Sequence, residues 1–175
     1  MPETTTPARR TVLLLCLLAA FVAVAGPPES RFAPGAAIAA EGSLAEEATG
    51  LGLLVIETAT GALPFRVELA RTPAELAQGL QHRRQLPPDA GMLFDFGPER
   101  IVTMWMKNTH IPLDMLFIKA DGTVGDIAQD TEPFSLETIA SRVPVRAVLE
   151  VNAGTAERLG VRPGDRVRHP IFGEP

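Results

Sequence analysis

The sequence predicts a mainly β fold: a compact antiparallel β-barrel or sandwich with two short helices, with an α+β fold as the alternative. Three observations support this prediction. Short apolar or alternating runs follow one another, separated by glycine, proline and aspartate turns. Helix start and stop signals occur at two places, and both predicted helices are short. Hydrophobic residues make up 46% of the 175-residue chain, enough for an ordinary core.

The N-terminal segment has the order of a secretory signal peptide. Arg9-Arg10 precedes an apolar run over residues 12–24, which ends in Ala23-Val24-Ala25, a small-x-small cleavage pattern. The run is shorter than the roughly 20 residues that a membrane-spanning helix needs. We therefore expect residues 1–25 to be removed and the protein to be periplasmic or secreted. The alternative is an uncleaved N-terminal helix that anchors it to the inner membrane.

Residues 26–50 are predicted to form a flexible linker. They are rich in alanine, glycine, proline and glutamate and contain one aromatic residue, Phe32, so they bury too little surface to offset the entropy of ordering. The chain has one cysteine, Cys16, and it lies inside the predicted signal. Cleavage would leave no thiol, which excludes disulfides, thiolate metal sites and cysteine nucleophiles.

The remaining chain, residues 51–175, is predicted to be a single globular mainly β domain. Leu53-Leu54-Val55-Ile56 is a short apolar run that predicts the first strand, and Thr60-Gly61 provides the turn after it. Residues 65–69 then alternate between apolar and polar side chains. This period of two is typical of a half-buried strand.

A helix is predicted to begin after Thr72. Pro73 suits the first helical position, and Glu75 is spaced to form a capping box with Thr72. The helix is expected to end at about His82, before two prolines. It is the longer of the two helices that the sequence predicts.

Four further strands are predicted in the middle of the chain, over residues 92–96, 101–106, 113–118 and 123–128. Asp121-Gly122 separates the last two and is a strong hairpin signal. They are short and closely spaced, as in a β-barrel or sandwich.

The C-terminal part adds two strands and the second helix. Residues 147–151 form the last long apolar run, and residues 155–160 predict one or two helical turns that end on glycine. Residues 166–168 are predicted to form a terminal strand.

Six short motifs occur in order along this domain: Gly79-Leu80, Asp89-Ala90-Gly91-Met92-Leu93-Phe94, Met104-Trp105-Met106-Lys107-Asn108-Thr109, Ile111-Pro112-Leu113-Asp114, Leu149-Glu150-Val151-Asn152-Ala153-Gly154 and Gly164-Asp165. Together they resemble the bacterial and archaeal domain-of-unknown-function family 192, over about residues 63–167. The resemblance implies a small, mostly β domain, often exported, with no agreed activity. The sequence departs from the family pattern at Gln81, where methionine is usual.

Polar side chains beside the single tryptophan form a candidate ligand-binding site. Lys107, Asn108 and Asp114 flank one turn next to Trp105, while Glu150 lies in an apolar run where an unpaired carboxylate is costly. We predict that these five side chains line one pocket, in which Lys107 binds a carboxylate or hydroxylated ligand. The alternative is an internal network in which Asn108 and Asp114 bind backbone groups and Lys107 pairs with an acid.

Three classes of function remain open. The leading hypothesis is a non-enzymatic binding module for a small molecule, a glycan or an envelope protein. The alternatives are a hydrolase-like envelope enzyme that uses the same polar cluster, and a purely structural interaction module. His110 and Asp114 could combine with Ser135 or Ser141, but the sequence lacks a G-x-S-x-G nucleophile motif, so no catalytic residue is assigned.

Other classes of partner are disfavoured. A formal charge of −5 argues against nucleic acid, and we expect membrane contact only through the N-terminal signal if it is uncleaved. His82, His110 and His169 are far apart in sequence, so we predict no metal site and no cofactor. The methionines of residues 92–115 are predicted to fill the core.

Overall fold

The structure is a computed structural model that describes residues 51–173, so the predicted signal peptide and linker lie outside the described residues. Within that range the strands are β1 (Leu51–Thr58), β2 (Gly61–Ala70), β3 (Ala90–Arg100), β4 (Thr103–Met104), β5 (Leu113–Ile118), β6 (Val124–Thr131), β7 (Ile139–Ala140), β8 (Val145–Asn152) and β9 (Arg166–Arg168). Two short helices, α1 (Pro73–Gln78) and α2 (Thr155–Leu159), and a 3₁₀ turn (Pro170–Phe172) complete the elements. Between residues 51 and 173, no helix is long and apolar enough to cross a membrane.

Seven strands form one curled sheet in the order β6-β5-β8-β3-β2-β1-β9. Neighbouring strands are antiparallel except β2 and β3, which run parallel because the chain crosses over through α1 between them. The two edge strands meet at one end, where Thr123 bridges Arg166 and the Val124 N–H donates to the Asp165 carbonyl at 2.8 Å. The sheet is therefore a half-barrel, and the predicted mainly β class with two short helices is confirmed.

The hydrophobic core is divided by the sheet into two clusters. The first core takes side chains from all seven strands and from α2, among them Leu54, Phe65, Leu93, Leu116, Val124, Leu149 and Val167. The second core lies on the other face of β3, β5 and β8, and includes Leu80, Met92, Phe94, Met106, Leu113, Met115 and Phe117. Every residue of β5 is buried, because both of its faces pack against a core.

A small two-stranded sheet, formed by β4 and β7, belongs to the layer that covers the second core. The predicted strand over residues 101–106 has only two residues in strand conformation. The strand ends at Met104, Met106 donates its N–H to the Ser135 carbonyl at 3.1 Å, and the chain turns at Lys107-Asn108. β7 carries little apolar periodicity and was not predicted.

Helix α1 begins as predicted but is shorter. The Thr72 hydroxyl accepts from the Glu75 N–H at 3.3 Å, and the Glu75 carboxylate accepts from the Thr72 N–H at 2.9 Å, which completes the capping box. Bonds from the Arg71 and Thr72 amides hold the pKa of Glu75 below its usual range. The helix ends at Gln78 rather than His82 because Gly79, which lies close to the Phe94 ring, adopts φ 48° and leaves the helical conformation.

Candidate functional site

Glu150 lies in the middle of β8, beside Met92 of β3 and Met115 of β5 in register. Paired residues of a sheet point to the same face, so the Glu150 side chain faces the second core with these methionines. It is only 4% exposed. Burial raises the pKa of Glu150 to about 8, so the carboxyl group is mostly protonated at neutral pH.

The Glu150 carboxyl group has no hydrogen-bond or ion-pair partner within residues 51–173. Every fully enclosed polar side-chain atom in that range is hydrogen bonded, so the free oxygens of Glu150 are in contact with open space. That space is a narrow cleft, here named the Glu150 cleft, lined by residues 76–81, Phe94, Met104, Trp105, Lys107, Thr109 and Glu150. Its volume of about 30 Å³ has room for roughly one or two water molecules.

Trp105 and Lys107 extend the cleft toward solvent. Trp105 is 50% exposed, and the Lys107 ammonium nitrogen lies 5.1 Å from the centroid of the indole ring, a cation–π contact. In the described part of the chain, no carboxylate lies within 4.0 Å of this ammonium group. The Lys107 ammonium group therefore contacts the indole ring and has no ion-pair partner within residues 51–173.

Asn108 fixes the turn that carries Lys107 but does not line the cleft. It adopts φ 56°, a conformation that asparagine tolerates better than most residues. Its side-chain amide donates to Gln81 Oε1 at 3.1 Å, and its carbonyl accepts from the His82 N–H at 2.9 Å. The turn is thus tied to the segment that follows α1, on the opposite wall of the cleft.

A second loop supports the same turn. The Phe134 N–H donates to the Thr109 carbonyl at 3.2 Å, and the His110 ring packs edge-on against the Phe134 ring at 4.8 Å. His82 and Phe134 both adopt positive φ, at 65° and 62°, which is strained for these side chains. Hydrogen bonds from the segments on both sides therefore hold residues 107–110 in place.

Asp114 lies on the other face of the sheet. It is directly opposite Val151, a member of the first core, and it is fully buried there. Its Oδ1 accepts from the Asp130 N–H at 2.9 Å and its Oδ2 from the Ala156 N–H at 2.8 Å. The structure thus brings Trp105, Lys107 and Glu150 together and places Asp114 elsewhere, because side chains alternate along β5.

The residues considered for hydrolysis are not assembled. The Ser141 hydroxyl accepts from the Val102 N–H at 3.1 Å, and the Ser135 hydroxyl accepts from the Glu137 N–H at 3.2 Å. With Asp114 bound to two amides on the far face, His110 has no triad partner among them. Within residues 51–173, no three His, Cys, Asp or Glu side chains are arranged to hold a metal ion.

Sequence reasoning missed the wall of the cleft formed by residues 76–81. Gln81 closes this wall, since its side-chain amide donates to the Ala77 carbonyl at 2.7 Å while its oxygen accepts from Asn108. The sequence predicted that α1 continues to about His82, so these residues were assigned to the helix and not to the wall of a cleft. The sequence signal that could have indicated this wall was Gln81, which stands where the family usually has methionine.

A larger groove of about 830 Å³ lies on the other side of α1, between the helix and β2. Two of its three charged lining residues, Glu68 and Arg83, form a two-pronged ion pair, with Arg83 Nη2 2.6 Å from Glu68 Oε2. The third, Glu75, accepts from the Arg71 and Thr72 amides. The bond from Arg83 lowers the pKa of Glu68. These charges satisfy each other, so the groove lacks the unpaired group that distinguishes the Glu150 cleft.

Within residues 51–173, the fold and cleft define a small mainly β domain in which the buried Glu150 carboxyl group is unpaired. A family model described as "Uncharacterized ACR", the domain-of-unknown-function family 192, matches residues 55–169. The chain belongs to this family, which confirms the resemblance noted in the sequence. No curated protein matches the chain.

Two crystal structures are similar to this chain. One, from Sinorhizobium meliloti 1021 and provisionally described as a transcription regulator, is 54% identical with a TM-score of 0.66, over 67% of this chain and 92% of that one. The other, a protein of unknown function from Novosphingobium aromaticivorans DSM 12444, is 41% identical with a TM-score of 0.67, over 68% of this chain and 85% of that one.

Proposed function

We propose that this protein is an exported, non-enzymatic domain that binds a small ligand in the Glu150 cleft. One observation carries the proposal: Glu150 is buried, faces the cleft, and has no partner within residues 51–173. Burying a polar group without a hydrogen bond costs about 1–3 kcal/mol. A ligand that supplies the missing bond would recover much of this free energy on binding.

The contacts around the cleft favour binding over catalysis. Of the groups considered for hydrolysis, Asp114 and His110 do not line the cleft, and the Lys107 ammonium group lies at its mouth over the Trp105 ring. A glycosidase-type pair of acids needs both carboxyl groups on one side of a shared space. Asp114 and Glu150 face opposite cores instead.

The purely structural alternative accounts less well for Glu150. A module whose polar residues only hold the fold together would pair them with one another, as Asn108 and Asp114 are paired. A leucine at position 150 would pack against Met92 and Met115 without the desolvation penalty of a carboxyl group. A carboxyl group that faces a cleft is better explained by a ligand.

The proposal places the protein in the periplasm or outside the cell. Its support is the order of Arg9-Arg10, the apolar run and the small residues before Gly26. We do not expect binding to nucleic acid, although one similar structure carries a regulator description. A formal charge of −5 disfavours the phosphate contacts on which such binding depends.

A thermal-shift screen of the full chain tests this function, with sugars, amino acids, nucleotides and amines as probes. A ligand at a hundred times its Kd stabilises a protein by about 3 kcal/mol, or roughly 5–10 °C for a chain of this size. We expect at least one class to raise the Tm of the wild type but not of Glu150→Leu or Trp105→Ala. Glu157→Ala, an exposed change on α2, is the control and should retain the shift. Equal shifts in wild type and Glu150→Leu, or no shift with any class, would overturn the proposal.

A further inference from the structure

We infer that the ligand is an uncharged carbohydrate, with one ring hydroxyl inserted beside Glu150 and the sugar ring packed against Trp105. This inference rests on the proposed function, because it names the chemical class that the same cleft accepts. Three properties of the site lead to it: the size of the cleft, its charge and the side chains at its mouth.

The size of the cleft limits what can reach Glu150. Its volume of about 30 Å³ has room for roughly one or two atoms the size of a water oxygen. A hydroxyl oxygen has that size, whereas a carboxylate or a primary amide brings three heavy atoms. The inserted group is therefore a single hydroxyl or amine, carried by a larger body that stays outside.

The charge of the site favours the hydroxyl over the amine. Leu80, Phe94 and Met104 form much of the wall, and an ammonium group would lose its hydration against them. Lys107 already places a positive charge at the mouth, which repels a second cation. A protonated carboxyl group offers one donor and one acceptor, and a hydroxyl group is complementary because it also has both.

Two other polar side chains of the cleft, Gln81 and Thr109, are already engaged. The Gln81 amide is bound on both ends, to Ala77 and Asn108, and the Thr109 hydroxyl donates to the Lys107 carbonyl at 3.3 Å. These side chains shape the wall, and the Glu150 carboxyl group is the buried polar group that stays open to the inserted group.

The mouth of the cleft suits the rest of a sugar. The half-exposed indole of Trp105 offers a flat apolar surface, which matches the C–H face of a pyranose ring. The Lys107 ammonium covers this indole at 5.1 Å, and its flexible stem allows it to move aside. There it can donate hydrogen bonds to the outer hydroxyl groups of the sugar.

Intrinsic fluorescence provides a direct test, because Trp105 is the only tryptophan and the chain has no tyrosine. The full chain is titrated with neutral hexoses and their disaccharides, with a hexuronic acid, and with a primary alkylamine. We expect a saturable change in Trp105 emission with at least one neutral sugar. Glu150→Gln, which keeps a donor and an acceptor, should bind it within about threefold of the wild type, and Glu150→Leu should lose about tenfold or more.

The failures of the two proposals are distinguishable. Saturable binding of the amine that Glu150→Gln and Glu150→Leu both abolish would overturn the carbohydrate inference and leave the ligand-binding function standing. Binding of the hexuronic acid in preference to the neutral sugars would do the same. Absence of binding by every probe, in fluorescence and in the thermal-shift screen, would overturn both.

Discussion

At the scale of single residues, the contrast between Glu150 and Asp114 explains most of the site. Both carboxyl groups are buried in central strands, but Asp114 accepts from two backbone amides and Glu150 has no partner within residues 51–173. A buried acid that is fully bonded has a structural role, whereas one left unbonded beside a cleft is available to a ligand.

The first prediction concerns the stability of Glu150→Gln as a function of pH. An unfolded glutamate ionises near 4.5, whereas burial raises the pKa of Glu150 to about 8 in the folded protein. Between these values the folded state holds a proton that the unfolded state has lost, so wild-type stability falls as the pH rises. Urea denaturation should show Glu150→Gln gaining about 1.4 kcal/mol per pH unit relative to wild type, or about 3 kcal/mol between pH 5 and 7.

Glu68→Gln is the matched control for this prediction, because the pKa of Glu68 is shifted in the opposite direction. Arg83 lowers the pKa of Glu68, so the ion pair stabilises the fold above the unfolded pKa and is lost as the pH falls. The destabilisation caused by Glu68→Gln should therefore shrink toward acid pH. A difference between Glu150→Gln and wild type that stays constant from pH 5 to 8 would contradict the account of Glu150.

The second prediction separates Asp114 from the cleft. Asp114→Ala leaves the buried amide of Ala156 and the partly buried amide of Asp130 without their acceptor, so we expect a loss of about 2–4 kcal/mol in unfolding free energy. Asp121→Ala removes one bond in an exposed turn and should cost less than about 1 kcal/mol. Trp105 emission of folded Asp114→Ala should match the wild type. A changed emission with unchanged stability would place Asp114 at the ligand site after all.

Patterns in the sequence identified individual residues of the site, but they did not predict correctly which of these residues lie together. An acid in an apolar run singled out Glu150, and the lone tryptophan singled out Trp105. Which of them share a face depends on the register between β3, β5 and β8, which the sequence of one strand does not contain.

At the scale of elements, the site depends on a turn held between two loops. Residues 107–110 are bound on one side to Gln81 and His82, after α1, and on the other side to Phe134. The capping box predicted the start of α1 correctly because its signals are local. The early end of α1 and the short β4 were not predictable in this way, since both depend on contacts with distant segments.

The third prediction concerns this turn and compares Asn108→Ala with Asn108→Gly. Both changes remove the side-chain bond to Gln81, but only glycine adopts φ 56° without strain. Asn108→Ala should therefore be about 1 kcal/mol less stable than Asn108→Gly in urea denaturation. Equal stability, or greater stability of Asn108→Ala, would show that the turn does not impose this conformation.

At the scale of the whole molecule, the curled sheet separates the first core, where Asp114 is buried, from the second core, which borders the Glu150 cleft. The first core is closed by α2 and the 3₁₀ turn, and the second by α1 and the layer containing β4 and β7. The mainly β class was predictable from short strands and turn residues. The parallel pairing of β2 and β3 was not, although it brings α1 to the wall of the cleft.

The fourth prediction concerns export. If the signal is removed after Ala25, the exported protein begins at Gly26 and has lost Cys16, its single thiol. After expression of the full chain in a Gram-negative host, periplasmic protein should not react with a maleimide, whereas unprocessed precursor should. N-terminal sequencing fixes the cleavage position. A maleimide-reactive protein that remains with the membrane would support the uncleaved anchor instead.

The ionisation of Glu150 tests the central claim most directly, because the claim requires a buried carboxyl group without a charged partner. The carboxyl carbon of Glu150 can be followed by ¹³C NMR on glutamate-labelled protein, with Glu150→Gln to assign the resonance. We predict a titration midpoint of about 8 in the ligand-free protein. A midpoint near the ordinary glutamate value of 4.5 would mean that Glu150 is solvated or paired, and it would contradict the proposed site.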